Sequence, residues 1–443
     1  MLQAGAARVN ITPYLGCPMA GYSARNRGSE SVHDELYCKA LVLENAGTEV
    51  VLVTSDLIGI GAELAAEVRS LISDSVGIPA DRVWICGSHT HFGPEVRKKQ
   101  LEDDADSVHN AYLDVLAQHM ASAVRIAHDE LRTARIGTGT IDAEGISYNR
   151  RLIREDKKVE MSLTLPLPYE ELTFGPVDPE VTVLKVVGET DDDTIASVIN
   201  FACHPVSSTD HMYEISADYP GYAMDLVEKA EGGVCLFALG CAGNIVPIQR
   251  RGRSKRQVGL SLGGIVLKAL HWIEVDGDVA LRAGNKKVCL PLRPFSSDDE
   301  MERDIVVAQT AMDTAKQRNA GARELKELGE KLGVAKSMPK WAERHDRSSS
   351  LETEIQVFWI GETPMIALPG EIFVEMGMAI KNQVGRNQVF VVSLSNDSIG
   401  YVPIRQAYEE GGYESTVSAL APGCGEHLVE EAIALAESVR YRQ

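Results

Sequence analysis

At 443 residues the chain exceeds the size at which one hydrophobic core usually stops growing, so it holds one large domain with insertions or two intimate ones. Its 44% hydrophobic and 24% charged residues are ordinary for a globular protein, and no apolar run reaches the ~18 residues that span a bilayer. The formal charge of −20, from 64 acidic against 44 basic residues, argues against nucleic-acid binding and stable association with anionic membranes.

The opening residues, Met1 to Arg8, have neither a basic n-region nor an apolar h-region, which predicts a cytoplasmic protein without a secretory leader. Leu41-Val42-Leu43-Glu44 and the run Glu49 to Thr54 predict a hairpin about Ala46-Gly47. Residues 62–72 have helical spacing and lead into the apolar strand Val83-Trp84-Ile85-Cys86. A helix over 111–130 follows, then strands over 194–201 and 233–239 with a helix over 222–230 between them. Residues 296–350 are charged and helical in period, which predicts a peripheral helical insertion with a solvated face. Strands over 354–360 and 364–368, a helix over 372–383, a strand over 388–394 and a last helix over 426–439 complete the chain. The alternation predicts an α/β fold with a mixed or largely parallel β-sheet core flanked by helices. Eight cysteines without a CxxC pair fit a reducing compartment; Cys86, Cys203, Cys235 and Cys289 sit in apolar strand-like contexts, and Cys38 and Cys424 keep a reactive reading open.

The strand at 83–86 runs directly into Ser88-His89-Thr90-His91-Phe92-Gly93-Pro94. Ligands gather beyond strand carboxyl ends, imidazole is a common zinc ligand, and a His-x-His pair on extended backbone presents both rings to one side. Other strand ends carry His204, Glu371 and, shortly after Asn396, Tyr401. If those strands are parallel neighbours, the four side chains form an N2O2 set suited to zinc. Singly, each has a plainer reading: the histidines as hydrogen-bonded residues, Glu371 beside a helix N-terminus, Tyr401 as a hydrogen-bonding phenol.

The chain resembles the neutral (non-lysosomal) ceramidase family in its catalytic domain. The likeness rests on Asn10-Ile11-Thr12-Pro13, Met19-Ala20-Gly21-Tyr22, Asp56-Leu57-Ile58, the His89 loop, Phe201-Ala202-Cys203-His204-Pro205, Ile215-Ser216-Ala217-Asp218, Pro369-Gly370-Glu371, and Asn396 through Tyr401 to Tyr413-Glu414. It implies one zinc on His89, His204, Glu371 and Tyr401, with Ser398 standing where the last motif has its first tyrosine. Arg150, in Tyr148-Asn149-Arg150, resembles the family's substrate-side arginine, with Arg151 and Arg154 as neighbouring alternatives, and Tyr413 would stand near the site. His91, two residues from a ligand, is the candidate general acid/base, with a ligand-supporting role as its alternative. The family's Gly-Asp-Val-Ser-Pro loop is here Gly243-Asn244-Ile245-Val246-Pro247, so valine replaces the serine assigned to catalysis.

The expectation is a single ceramidase-like catalytic domain over 1–443, without a C-terminal immunoglobulin-like domain. Its expected function is zinc-dependent hydrolysis of an amide (N-acyl) or related bond in a small soluble substrate. The alternatives are a catalytically silent metal-binding homologue, or a zinc hydrolase acting on an ester, lactone or glycosidic bond. Homo-oligomerisation is left open.

Overall fold

Ala46 and Gly47 both adopt positive φ, 53° and 80°, the geometry that lets a two-residue turn match the twist of its strands. They join Tyr37–Asn45 to Thr48–Ser55 in antiparallel register, with Leu41 opposite Leu52. In this computed structural model, residues 1–97, 104–166, 171–190, 192–344, 348–386 and 388–441 are described. The hairpin lies within an eight-stranded sheet of order Val234–Leu239, Thr194–Phe201, Glu180–Gly188, Arg132–Asp142, Gln3–Asn10, Tyr37–Asn45, Thr48–Ser55, Val83–Gly87. Only its two outermost pairings are parallel, so the sheet is mixed and predominantly antiparallel.

Gln3–Asn10 pairs with Arg132–Asp142 through only two residue pairs, and about this joint the two halves of the sheet fold towards each other. Leu41, Leu43, Leu52 and Trp84 from one half share a core with Leu184, Val186, Val198 and Leu236 from the other. A second, four-stranded sheet of Leu281–Pro291, Ser350–Ile360, Thr363–Ala367 and Phe390–Val392 adds Phe358, Met365 and Phe390 to that core. Helices Ala62–Val76 and Asp104–Asp129 cover the outer face of one half-sheet, and Asp218–Glu231 with Ser254–Leu270 cover the other. Val374–Val384 and Cys424–Arg440 cover the second sheet. The joint core buries large aliphatic and aromatic side chains at about 1.5–3 kcal/mol each, which sets the frame rigidly behind the strand ends.

Residues 393–396 close the gap between the two edges of the folded sheet. Ser393 N–H donates to Leu239 O (2.9 Å) and Asn396 N–H to Ile85 O (2.7 Å). The carboxyl ends of three strands thereby meet at one place although they are not neighbours in one sheet. This corrects the expectation of adjacent parallel strands; convergence comes from folding the sheet over.

The insertion is a helical hairpin, Asp298–Gln317 and Ala322–Arg344, opened by a capping box of Ser297 and Glu300. It is less peripheral than its charge suggested. Its second helix packs near Tyr413–Val417, and the Trp341 ring lies 2.9 Å from where a Cβ on Gly400 would stand, beside Tyr401. Among the cysteines, Cys86, Cys203 and Cys235 are buried as expected, Cys289 is exposed against expectation, and Cys38 and Cys424 are buried. Burial pushes the Cys38 and Cys424 thiols up, away from reactivity.

Candidate metal centre

His89 follows strand Val83–Gly87 with φ of +69°, a left-handed conformation costly for a residue with a Cβ. The pair His89/His91 is therefore not extended, as the alternation argument had it. The local conformation is fixed by His89 N–H donating to Leu57 O (2.9 Å) and by the Thr90 hydroxyl donating to Ser216 O (2.7 Å). The two rings still converge, at 4.8 Å between centroids, and His204 lies 4.6 Å from His89 by the same measure.

Tautomers follow from the partners. A carbonyl only accepts, so His89 Nδ1, 2.6 Å from Ile58 O, carries its proton there. His204 Nδ1 likewise donates to Ala242 O (2.5 Å) and Ile245 O (3.1 Å). In their neutral form both rings therefore present Nε2 as a lone pair. They face the same carboxylate oxygen: Glu371 Oε2 is 3.3 Å from His89 Nε2 and 3.1 Å from His204 Nε2. Three acceptors aimed at one another without a donor are unfavourable in a buried site and are reconciled by a cation. Their spacing matches the about 3.3 Å edge of a tetrahedron built from zinc bonds of about 2.0–2.1 Å. The donor set fits zinc.

Glu371 reaches this place from a short strand of its own, not from the helix start that was its plainer reading. Glu371–Ile372 pairs in parallel with Tyr401–Val402, with Glu371 in register with Tyr401, and the helix begins only at Val374. Adjacent strands lie about 4.8 Å apart, so the register brings both oxygen-bearing side chains to one edge. Burial alone would raise the Glu371 carboxyl, but the neighbouring His89 and His204 outweigh it and hold it well below the usual carboxylate range. Burial, and then Glu371, push the Tyr401 phenol well up.

His91 sits closer to the ligand atoms than the sequence suggested. Its Nε2 is 3.3 Å from His89 Nε2, and His89, His91 and His204 form a three-histidine group with ligand atoms within 4.8 Å of one another. Burial, then the adjoining His89 and His204, hold His91 well below the usual imidazole range, so it is neutral at pH 7. Its Nδ1 is buried without a hydrogen-bond partner. Gly21 explains how the ring fits: at φ +101°, any Cβ there would stand 2.6 Å from His91 Nδ1.

Arg150 and Arg151 are both buried, and of Arg150, Arg151 and Arg154 it is Arg150 that reaches Tyr401. Its Nε donates to Glu414 Oε1 (2.7 Å) and its Nη2 to Gly243 O (2.8 Å) and the Tyr401 hydroxyl oxygen (3.1 Å). Arg151 shares Glu414 from the other side, at 3.1 Å, and Arg154 pairs with Glu160. Tyr413 opens the short helix Tyr413–Val417 with its ring centroid 5.7 Å from that of Tyr401. Two N–H groups of the Gly240 to Asn244 turn are spent within the fold, Gly240 donating to Phe201 O and Gly243 to Ile372 O. Its carbonyls orient His204 instead. Val246 is fully buried, opposite Tyr148 in the ladder of Ser147–Asn149 with Ile245–Pro247, and packs with Val206 and Tyr22.

The structure thus gathers all seven sequence-predicted residues around one centre. Sequence reasoning missed Glu414 as the anchor of Arg150. The contact joins loops 264 residues apart in the chain and leaves no local signal.

The family model "neutral/alkaline non-lysosomal ceramidase, N-terminal" matches residues 2–239. The chain belongs to this family. The matched range contains His89, His91, Arg150 and His204, while Glu371, Tyr401 and Tyr413 lie beyond it. Neutral ceramidase of Pseudomonas aeruginosa is 24% identical over 249 residues, covering 52% of this chain and 34% of that protein. Neutral ceramidase B of Dictyostelium discoideum is 25% identical over 221 residues, covering 48% of this chain and 30% of that protein. The aligned parts thus span about a third of these curated relatives. The crystal structure of the Pseudomonas aeruginosa neutral ceramidase superposes with a TM-score of 0.75 at 20% identity, covering 99% of this chain and 74% of that one. A ceramidase complexed with C2 gives 0.73 at 18% identity, covering 99% and 75%. This ceramidase-family fold is therefore shared across nearly the whole chain.

Proposed function

We propose that the protein is a zinc-dependent hydrolase that cleaves an amide (N-acyl) bond in a small soluble substrate. The observation that carries the reading is the convergence of the His89 and His204 Nε2 lone pairs on Glu371, with Tyr401 in register beside it. A zinc ion on these residues would polarise a carbonyl and acidify a water. His91, neutral and adjacent, takes the proton of the attacking water and returns it to the leaving amine. Arg150 keeps its charge because Tyr401 and Glu414 outweigh the cost of its burial, and it holds the Tyr401 oxygen in place while facing developing negative charge. Tyr413 donates to the substrate from the rim. The relatives are named for ceramide hydrolysis; for this chain a soluble substrate is favoured by Val246, which closes the wall at that position with apolar bulk, and by the −20 charge. Among the described residues no helix is long and apolar enough to cross a membrane. The eight unpaired cysteines favour a reducing compartment, the cytoplasm.

The test is elemental analysis of the purified protein followed by a screen of N-acyl, ester, lactone and glycoside substrates with and without chelator. One zinc per chain with chelator-sensitive amide cleavage is expected. Failure to take up zinc, or preference for another bond class, refutes the reading.

A further inference from the structure

The cations around the histidine cluster are unequally matched. Arg150 is answered by Glu414, and Lys255 has Glu214 at 3.7 Å. Arg25 and Arg250 have no carboxylate within salt-bridge distance among the described residues, in a chain with 64 acidic side chains. Arg25 is spent on geometry: it donates to Met212 O, Ala20 O and His91 O, and its guanidinium lies 4.9 Å from the Tyr22 ring centroid. Arg250 is anchored differently. Its Nε donates to Val206 O (3.0 Å) and its Nη1 to Leu163 O (3.4 Å), and its guanidinium faces the Tyr22 hydroxyl oxygen with no carboxylate among the described residues to answer its charge.

Beside Arg250 stands Tyr22. Its ring is 5.1 Å from that of His91, and its hydroxyl is buried without a hydrogen-bond partner. Burial raises this phenol to about 12, so it remains an O–H donor throughout the working pH range. A buried phenol whose proton finds no acceptor and a guanidinium without a carboxylate thus share one place, at the end of the wall formed by Tyr148, Val206 and Val246. Their common complement is an anionic acceptor, and arginine matches a planar carboxylate best.

We propose that the substrate carries a carboxylate, bound by Arg250 and the Tyr22 hydroxyl, while its acyl bond lies at the histidine cluster. This deepens the hydrolase reading and rests on it for the position of the scissile bond. Arg250 is four residues past Val246, at most about 13 Å along an extended chain, so carboxylate and scissile carbonyl belong to one small molecule.

The experiment measures binding, not turnover. N-octanoylglycine and its neutral analogue N-octanoylglycinamide are titrated calorimetrically into zinc-depleted protein. The carboxylate is expected to bind at least ~10-fold more tightly than the amide. Arg250→Gln removes that preference, Arg250→Lys keeps part of it, and Tyr22→Phe reduces it. Equal affinities in the unaltered protein, no binding of the carboxylate, or a preference that survives Arg250→Gln overturns the proposal. The wild-type comparison decides even if a variant folds poorly. A zinc-loaded protein that leaves N-octanoylglycine intact while the binding preference stands refutes the hydrolase reading alone.

Discussion

Glu371→Gln separates the metal-centre reading from a purely structural one, because the two demand opposite responses from the metal-free and metal-loaded protein. The amide keeps the size of the carboxylate but replaces one acceptor by a donor. With His89 and His204 Nε2 both unprotonated at 3.3 and 3.1 Å, the new N–H2 group finds an acceptor that the carboxylate could not use. The metal-free variant is therefore as stable as the parent or more so, by up to about 1 kcal/mol. Metal binding moves the other way. Free zinc at ~10³ times its dissociation constant stabilises the parent by about 4 kcal/mol. Unfolding entropy scales with length, so a chain of 443 residues shifts by only about 1 °C per kcal/mol, a rise of roughly 4 °C. Loss of the charged ligand weakens zinc by at least ~10²-fold, since even a lost outer partner costs 10–100-fold, and the gain falls to about 1.4 kcal/mol, or roughly 1.5 °C. Thermal unfolding at fixed free zinc, with affinity by chelator competition, reads both quantities. An unchanged zinc affinity and melting rise in Glu371→Gln would refute the reasoning.

Three further outcomes are expected. His91→Ala should retain zinc while lowering amide turnover by ~10²–10⁴-fold, and parallel loss of metal would move His91 into the ligand set with His89 and His204. Asp56 is buried, and burial lifts its carboxyl from 3.8 to about 7. The folded protein then keeps a proton that the unfolded chain has released, so stability falls as pH rises from about 4 through about 7, by at most about 1.4 kcal/mol per pH unit. Asp56→Asn should flatten that part of the melting-temperature profile, and an unaltered slope would show that Asp56 does not cause it. Val246→Ser puts a hydroxyl among Tyr148, Val206 and Tyr22, at a cost of roughly 1–3 kcal/mol and a similar number of degrees. It should bring no gain in ceramide cleavage in mixed micelles, and a large gain would return this chain to the activity its relatives are named for.

What the sequence made legible were residues whose positions depend on local structure. His89 and His204 stand just past apolar strands, and Glu371 follows Thr363–Ala367 by four residues, so a survey of strand ends found them. The reason they meet was not legible. Parallel neighbours were expected, whereas a two-residue joint folds one sheet over itself and residues 393–396 tie its edges together. The positive φ of His89 escaped for a related cause: strand alternation ends at Gly87, and the next bonds run to Leu57, Ile58 and Ser216 on other loops. Arg150 could not be distinguished from Arg151 by spacing because Glu414, which holds both, lies more than 260 residues away.

The ladder of Ser147–Asn149 with Ile245–Pro247 shows how the metal centre can persist while the pocket beside it changes. Its backbone serves the centre: Ile245 O orients His204 Nδ1, and Arg150 N–H donates to Asn244 O just beyond the paired residues. Its middle side chains, Val246 and Tyr148, serve the wall. Side chains alternate across a strand, so residue 246 can be exchanged without displacing the carbonyl at 245. A serine position can thus become valine at little cost to metal binding, with the consequence falling on substrate choice. Four residues further on, the same segment carries Arg250, so one short stretch of chain sets both the dryness of the pocket and the charge it receives.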